Sequence, residues 1–444
     1  MATTSSFNNI YAGGKIMLKA GFTGLLTLLL LIPAWFVMQL VQERQARQRA
    51  VTQSLTSRWA TAQTVSGPYI VVPYQSNFNT QQYLMLLPQN LQVQASLSPE
   101  KKSESIYQVL LYRSHISMQG NFNFKLPASV NPAVVHWEQA RLYLGISDLK
   151  GMEETPHITC KDSLVNLQAD LPVKRSDSTG FSGPVTLDAT QVGQQVSFAV
   201  EFALKGSGSL HVTPLAANSK LIMHSTWSRP GFDGNTLPVS STVNNKGFNA
   251  TWVFNEANMP FGTALTDVLP DKENISVGVS MIQQADEDQY AKTLRCIKYA
   301  LLVIGLTFAL FLLIELLQHK PFHPVQYLLV GFALVVFYTL LLSFSEYIDF
   351  DAAYLVAAMA TIALISLYAQ GHFKKWRTAA VFAGALSLLY GFLFVIIRLQ
   401  DTALLAGSIG LFVILSVIMY FSRKISWYPN PVGLNPDQSL SETL

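Results

Sequence analysis

Glu315 is the one charged residue inside a long apolar run of this sequence. A carboxylate at membrane depth costs free energy, so such a group either serves a function or reaches for the interface. It sits near the end of its run, with His319 and Lys320 close by, and the expected reading is a snorkelling side chain or an interfacial pair. His319 and His323, with Glu315 one helical turn before His319, raise the possibility of a metal. Pro321 and Pro324 break the helix between the two histidines, and a third firm ligand is missing, so no metal site is expected. Glu346, Asp349 and Asp351 form an acidic group that suits a cation or cationic partner, but its plainer reading is a solvated loop that helps set topology.

The remaining chemistry is sparse. The patterns H-E-x-x-H, G-x-S-x-G and the P-loop are absent. Gly206-Ser207-Gly208-Ser209 resembles a phosphate-cradling loop, yet it lies between two strand patterns and opens no helix, so a hairpin turn is expected there. His115, His136, His157, His211 and His224 are scattered without carboxylates or cysteines at ligand spacing, and each reads as a packed or surface histidine. Cys160 reads as a lone thiol, and Cys296 as a small apolar residue at the mouth of a span. A disulfide between them has no support in spacing. The sequence therefore assigns no catalytic, cofactor-binding or metal residue, and the chain reads as no enzyme.

The elements that position these groups follow from composition. The chain has 444 residues, half of them hydrophobic and 13% charged, about half the usual charged share of a soluble protein. This excludes a disordered chain and argues against an ordinary cytosolic enzyme. Residues 42–298 hold 21 Lys/Arg against 20 Asp/Glu, which gives no basic field for nucleic acid.

A membrane span needs about 20 apolar residues as a helix, because every backbone polar group must be paired internally. Residues 20–41 meet this as an uncleaved signal anchor, with Pro33 tolerated inside. Five more spans are expected at 299–317, 325–344, 352–368, 379–397 and 403–421. Their short links force antiparallel neighbours into one bundle. Ala379, Ala380, Ala383, Gly384, Gly407 and Gly410 are small residues that allow helices to approach closely. With the N-terminus cytoplasmic, that side holds Lys15, Lys19, Lys320, Lys374, Lys375, Arg377, Arg423 and Lys424, whereas the opposite short loops hold only Arg398. Both termini are therefore expected in the cytoplasm.

Between the first two spans the hydrophobic period changes. Val51, Leu55 and Trp59 recur every four residues, so 42–65 reads as a stalk helix ended by Gly67-Pro68. Beyond it the period is two. Alternation over 91–97, 140–146, 196–204, 248–254 and 275–281 predicts strands with one buried and one wet face. Trp252, with Phe248, Ala250 and Phe254 on its face, is expected in the core. The organisation is thus 1–19 cytoplasmic N-terminus, 20–41 signal anchor, 42–65 stalk, 66–290 β-rich domain, 299–421 five-helix bundle and 422–444 cytoplasmic tail. The fold class is a mixed membrane protein: six transmembrane helices, one N-terminal and five C-terminal, plus a large β-rich, sandwich-like domain, an antiparallel sandwich or a related two-sheet fold. The first dozen residues and the tail after Pro429 read as disordered.

Several blocks together resemble the CreD family of bacterial inner-membrane proteins. They are GPYIVVPY at 67–74, GSGSLHVTPL at 206–215, STWSRPGFDGNTLP at 225–238 and GFNATW at 247–252. The strongest are the segments at 288–317 and 323–346, which carry polar residues at set places (Gln326, Tyr327, Tyr338, Ser345 and Glu346). The resemblance covers about 20–428. It implies an inner-membrane location in a Gram-negative envelope, an output of the Cre two-component regulon, and roles in envelope integrity, colicin tolerance and β-lactam response; with both termini cytoplasmic, the β domain is then expected in the periplasm. It implies no catalytic residue or cofactor. The leading expectation is a non-enzymatic domain contributing to envelope integrity and stress response, its partners being the lipid bilayer and an envelope protein or a lipid or glycan ligand, with no nucleic acid. The alternatives are a transporter or lipid-handling protein, and a sensor acting through a partner.

Overall fold

The computed structural model describes residues 3–75, 80–127, 130–161, 163–169, 179–259, 261–266, 275–281, 284–318, 320–399 and 402–422. The chain divides into two compact units, Met1–Arg47 with Ala285–Leu444, and Gln48–Gln284.

The first unit is helical. Helix α1 (Thr3–Trp59) begins well before the expected anchor, so the first dozen residues are helical rather than irregular from Thr3 onward. It is followed by α2 (Gln284–Lys298), α3 (Ala300–Gln318), α4 (Pro324–Ser345), α5 (Phe350–Phe373), α6 (Trp376–Arg398) and α7 (Ala403–Ser422). Five of these, α1 and α3 to α6, are long and apolar enough to cross a membrane, and α7 holds a shorter apolar run, Leu405–Val417. The tail after Pro429 lies outside the described residues.

Local chemistry sets the helix ends. Pro324 opens α4, where its missing N–H costs nothing. His323 caps it: its backbone N–H donates to Gln326 Oε1 at 2.8 Å, and its Nδ1 accepts from the Val325 N–H at 3.4 Å. Helix α5 closes at Lys374, which takes a left-handed conformation with φ of 56° and donates its N–H to the Gln370 carbonyl. Phe311, Phe337, Tyr338, Phe382 and Tyr390 are among the largest buried side chains of the bundle. Of the small residues named above, Gly410 is held by close packing: a Cβ there would collide with the Phe392 ring, whereas Gly384 and Gly407 face open space. Gly331 does the same work between α4 and α1, where a Cβ would collide with the Leu30 side chain.

The second unit is β-rich. Its first strands are β1 (Gln63–Gln75), β2 (Gln81–Leu86), β3 (Pro88–Glu104), β4 (Tyr107–Asn123) and β5 (Arg141–Ile146). Then come β6 (His157–Cys160), β7 (Ser163–Leu164), β8 (Gly180–Pro184), β9 (Gln195–Ser207), β10 (Ser209–Thr213) and β11 (Asn218–Ser225). The last are β12 (Gly231–Gly234), β13 (Ser240–Asn244), β14 (Gly247–Phe254), β15 (Ala264–Thr266) and β16 (Val277–Ser280). One sheet runs β12-β16-β10-β1-β2-β15, with β5 joining β1 to β8; the other runs β13-β14-β11-β3-β4-β9-β6-β7. Val72, Leu84 and Leu142 of the first sheet share one hydrophobic cluster with Val93, Ile116, Val200 and Trp252 of the second.

Four expectations need correction. The sheets are mixed rather than antiparallel: β1 pairs β10 and β3 pairs β11 in parallel, each after a long excursion of the chain. The helix ends at Trp59, so Gly67-Pro68 lies inside β1 instead of terminating a stalk. Gly206–Ser209 is no hairpin. Gly208, with φ of 72°, is the sharp corner where the chain leaves one sheet at Ser207 and enters the other at Ser209, a backbone turn that glycine allows without strain. Finally, β1 and β5 are buried along most of both faces, because a second cluster of Tyr69, Val71, Met85, Leu87, Tyr143, Leu215 and Ile275 packs on part of the outer side of the first sheet. Trp252 is buried as expected, at 1% exposure, and its indole N–H donates to the Thr236 carbonyl at 3.1 Å.

Candidate functional site: a polar layer at one end of the helices

Glu315 does not snorkel. It is 5% exposed and forms an ion pair with Lys19 of α1 through Oε1. Its Oε2 accepts the Tyr327 hydroxyl of α4 at 3.0 Å. Both carboxylate oxygens are thus engaged, by residues 296 and 12 positions away in sequence. Lys320, the expected partner, instead donates to the Phe373 carbonyl at 3.1 Å.

The layer continues across the bundle. Gln318 Nε2 donates to Thr378 Oγ1 at 2.8 Å, and Gln326 Nε2 lies 3.1 Å from His372 Nδ1. Together these bonds bring Lys19 of α1 and the starts of α4 and α6 beside the ends of α3 and α5, the antiparallel alternation that short links demand. Phe322 packs at the centre, 4.3 Å from the His372 ring and 5.1 Å from Phe311. Gln318 Oε1 is buried with no partner among the described residues.

Chemically this arrangement is a clamp. The buried carboxylate has both oxygens engaged, one by a lysine and one by a phenol, so the pair and the hydrogen bond tie three helices together. Of the two histidines weighed for a metal, His323 uses its Nδ1 in the α4 cap, and His319 lies outside the described residues. Among the described residues no group of three or more His, Cys, Asp or Glu could hold a metal.

The acidic group at the other helix ends is divided. Glu346 Oε1 accepts from the Tyr290 hydroxyl at 3.3 Å and lies 3.9 Å from Arg44 Nε. Asp351 pairs with Arg398. Asp349 occupies the cap position of α5 without a side-chain capping bond. These three carboxylates therefore do not converge on one ion.

In the β-rich unit His115, His157 and His224 are exposed. His211 Nε2 lies 2.7 Å from Asp233 Oδ1, a pairing across β16 that sequence separation concealed. His136 Nδ1 is 3.4 Å from Glu138. Cys160 and Cys296 are both free and buried, in different units. Burial pushes the Cys160 thiol up to about 11, against a smaller opposing pull from Lys161.

Sequence reasoning missed Lys19 as the partner of Glu315. The signal was present: Lys19 immediately precedes the first apolar run and, with alternating helices, shares a membrane side with the end of α3. It also missed the pairing of Gln326 with His372, which depends on how the helices rotate about their axes.

The family model described as "Inner membrane protein CreD" matches residues 15–428. The inner membrane protein CreD of Escherichia coli (strain K12) is 28% identical over 416 residues, covering 90% of this chain and 91% of that protein. The chain, a multi-pass membrane protein with an extramembrane β-rich unit, belongs to the CreD family.

Proposed function

We propose that this chain is a non-enzymatic inner-membrane protein whose β-rich unit lies in the periplasm and binds a component of the envelope. Its contribution to envelope integrity and stress response would then follow from that contact, with no reaction of its own. The observation that carries the reading is a large, well-cored pair of sheets in a chain whose intramembrane carboxylate, Glu315, is already spent on Lys19 and Tyr327. In this reading the two sheets stack as a sandwich, α7 is a sixth span, and both termini are cytoplasmic. The parts are 1–19, 20–41, a stalk from 42 to the helix end, a periplasmic domain to about 290, a bundle over 299–421 and the tail 422–444. The eight-to-one split of basic residues in short segments supports this orientation.

The test is crosslinking in intact cells followed by purification of the full chain and mass spectrometry. The reading expects adducts on β-unit residues to envelope proteins, lipids or glycans. Adducts confined to cytoplasmic proteins, or none above background, would overturn it.

A further inference from the structure

We propose that a cleft on the outer face of the first sheet binds an anionic saccharide, with Arg141 receiving its carboxylate or phosphate. This deepens the binding reading above by naming the ligand class. The strand register builds the cleft. Tyr69 pairs with Tyr143 and Val71 with Arg141 across β1 and β5, while Pro73 pairs with Tyr83 across β1 and β2. Directly paired residues share a face, so the two tyrosines Tyr83 and Tyr143, the apolar Val71 and Pro73 and the guanidinium of Arg141 all line one side. Glu138 and Gln139 form the rim, and the cleft encloses about 350 Å³. That is the lower end of the range for small-ligand sites.

Arg141 is the residue whose chemistry is left incomplete. Its Nη2 donates to Ser182 Oγ at 2.9 Å, which fixes the plane of the guanidinium. Its Nε is buried and meets no acceptor among the described residues. Among the described lining residues Glu138 carries the one carboxylate, and it turns to His136. A guanidinium held in place with an unanswered N–H beside a cleft suits a planar anion, because carboxylate and phosphate oxygens match its fork. The remainder of the lining suits a sugar. Half-buried Tyr83 offers a ring, Tyr143 is braced by stacking on its cross-strand neighbour Tyr69 at 5.6 Å, and Gln81 and Gln139 supply amides for hydroxyl groups. An acyl chain would need a longer apolar groove than Val71 and Pro73 provide.

The experiment is calorimetric titration of the full chain in lipid nanodiscs with glucuronate, glucose 1-phosphate, glucose and inorganic phosphate. At least one of the first two should bind tenfold or more tighter than both glucose and phosphate, and which of them wins identifies a sugar acid or a sugar phosphate as the source. Arg141→Ala should lose at least tenfold, and Arg141→Lys should recover part of it. Binding of neither charged sugar, equal binding by Arg141→Ala, or phosphate binding as tight as either sugar would each overturn the proposal. Should Arg141→Ala fail to fold, Tyr83→Ala replaces it: a loss of sugar affinity at unchanged melting temperature supports the cleft, and unchanged affinity overturns it. Envelope crosslinks that persist in Arg141→Ala while no sugar binds would sink the cleft alone; their absence in the unmodified protein would sink the wider reading.

Discussion

Replacing Lys19 by methionine tests the intramembrane clamp through an asymmetry. The substitution keeps much of the length of the side chain and removes its charge. Glu315, 5% exposed, is then left with Tyr327 as its polar partner among the described residues. Breaking a fully buried pair in this way costs about 3–5 kcal/mol, and breaking an exposed one about 0–1 kcal/mol. Lys19 is 42% exposed, so screening places Lys19→Met between these limits, at about 2 kcal/mol. Glu315→Gln should cost less, about 1 kcal/mol, because the amide oxygen still accepts from Tyr327 and Lys19 returns to water. In a Glu315→Gln background Lys19→Met then has little left to break, so the double-mutant cycle should show a coupling of about 1 kcal/mol or more. The measurement is the thermal midpoint of the full chain in nanodiscs, followed by tryptophan emission. If Lys19→Met costs the same with and without Glu315, the pair is not formed and the snorkelling picture stands.

Other consequences follow from packing and titration. Trp252→Ala should cost about 3–5 kcal/mol through the cavity it leaves, lowering the melting temperature of the β-rich unit, whereas an unchanged value would contradict its burial. Gly410→Val should disturb the α6–α7 contact and be relieved by Phe392→Ala; equal abundance of Gly410→Val and the parent would show that the helices can part freely. Asp148 is partly desolvated, which alone would raise its carboxyl, but the N–H groups of Thr61 and Lys150 and the Thr61 hydroxyl hold it below its ordinary 3.8. Because the folded value is the lower one, its stabilisation is present above the unfolded value and is lost as pH falls through the folded one. Asp148→Asn should therefore flatten the decline in stability on the acid side of about pH 4, as read by melting temperature against pH. The Cys160 thiol, raised by burial, should resist maleimide at about pH 8 until the chain unfolds.

The membrane helices were legible because apolar length is a one-dimensional property, and Ala300–Gln318 and Pro324–Ser345 lie within two residues of where composition puts them. The long strands around Val200 and Trp252 were legible because a sheet with one covered face writes period two into its sequence. Strands β1 and β5 obscured that signal, since a second cluster packs on part of their outer side and most positions on both faces turn apolar. The corner at Gly208 looked like a hairpin because glycine marks a sharp turn without revealing which sheet the next strand enters. Helix α2 escaped notice because polar residues such as Asp286, Glu287 and Lys292 interrupt it. The clamp and the cleft were hidden for a common reason. Lys19 meets Glu315, and Arg141 joins Tyr83 in one cleft, only through packing between elements distant in sequence, and no spacing rule encodes that.

The compartment of the β-rich unit is the claim on which the proposed function rests, and site-directed thiol labelling measures it most directly. Cysteines placed at exposed Ser241 and at exposed Lys375, in a chain with Cys160 and Cys296 replaced by serine or alanine, are probed with a membrane-impermeant maleimide in cells with a permeabilised outer membrane. The account predicts that Ser241→Cys is labelled at once and Lys375→Cys only after the inner membrane is broken. Labelling of both from the same side would contradict it.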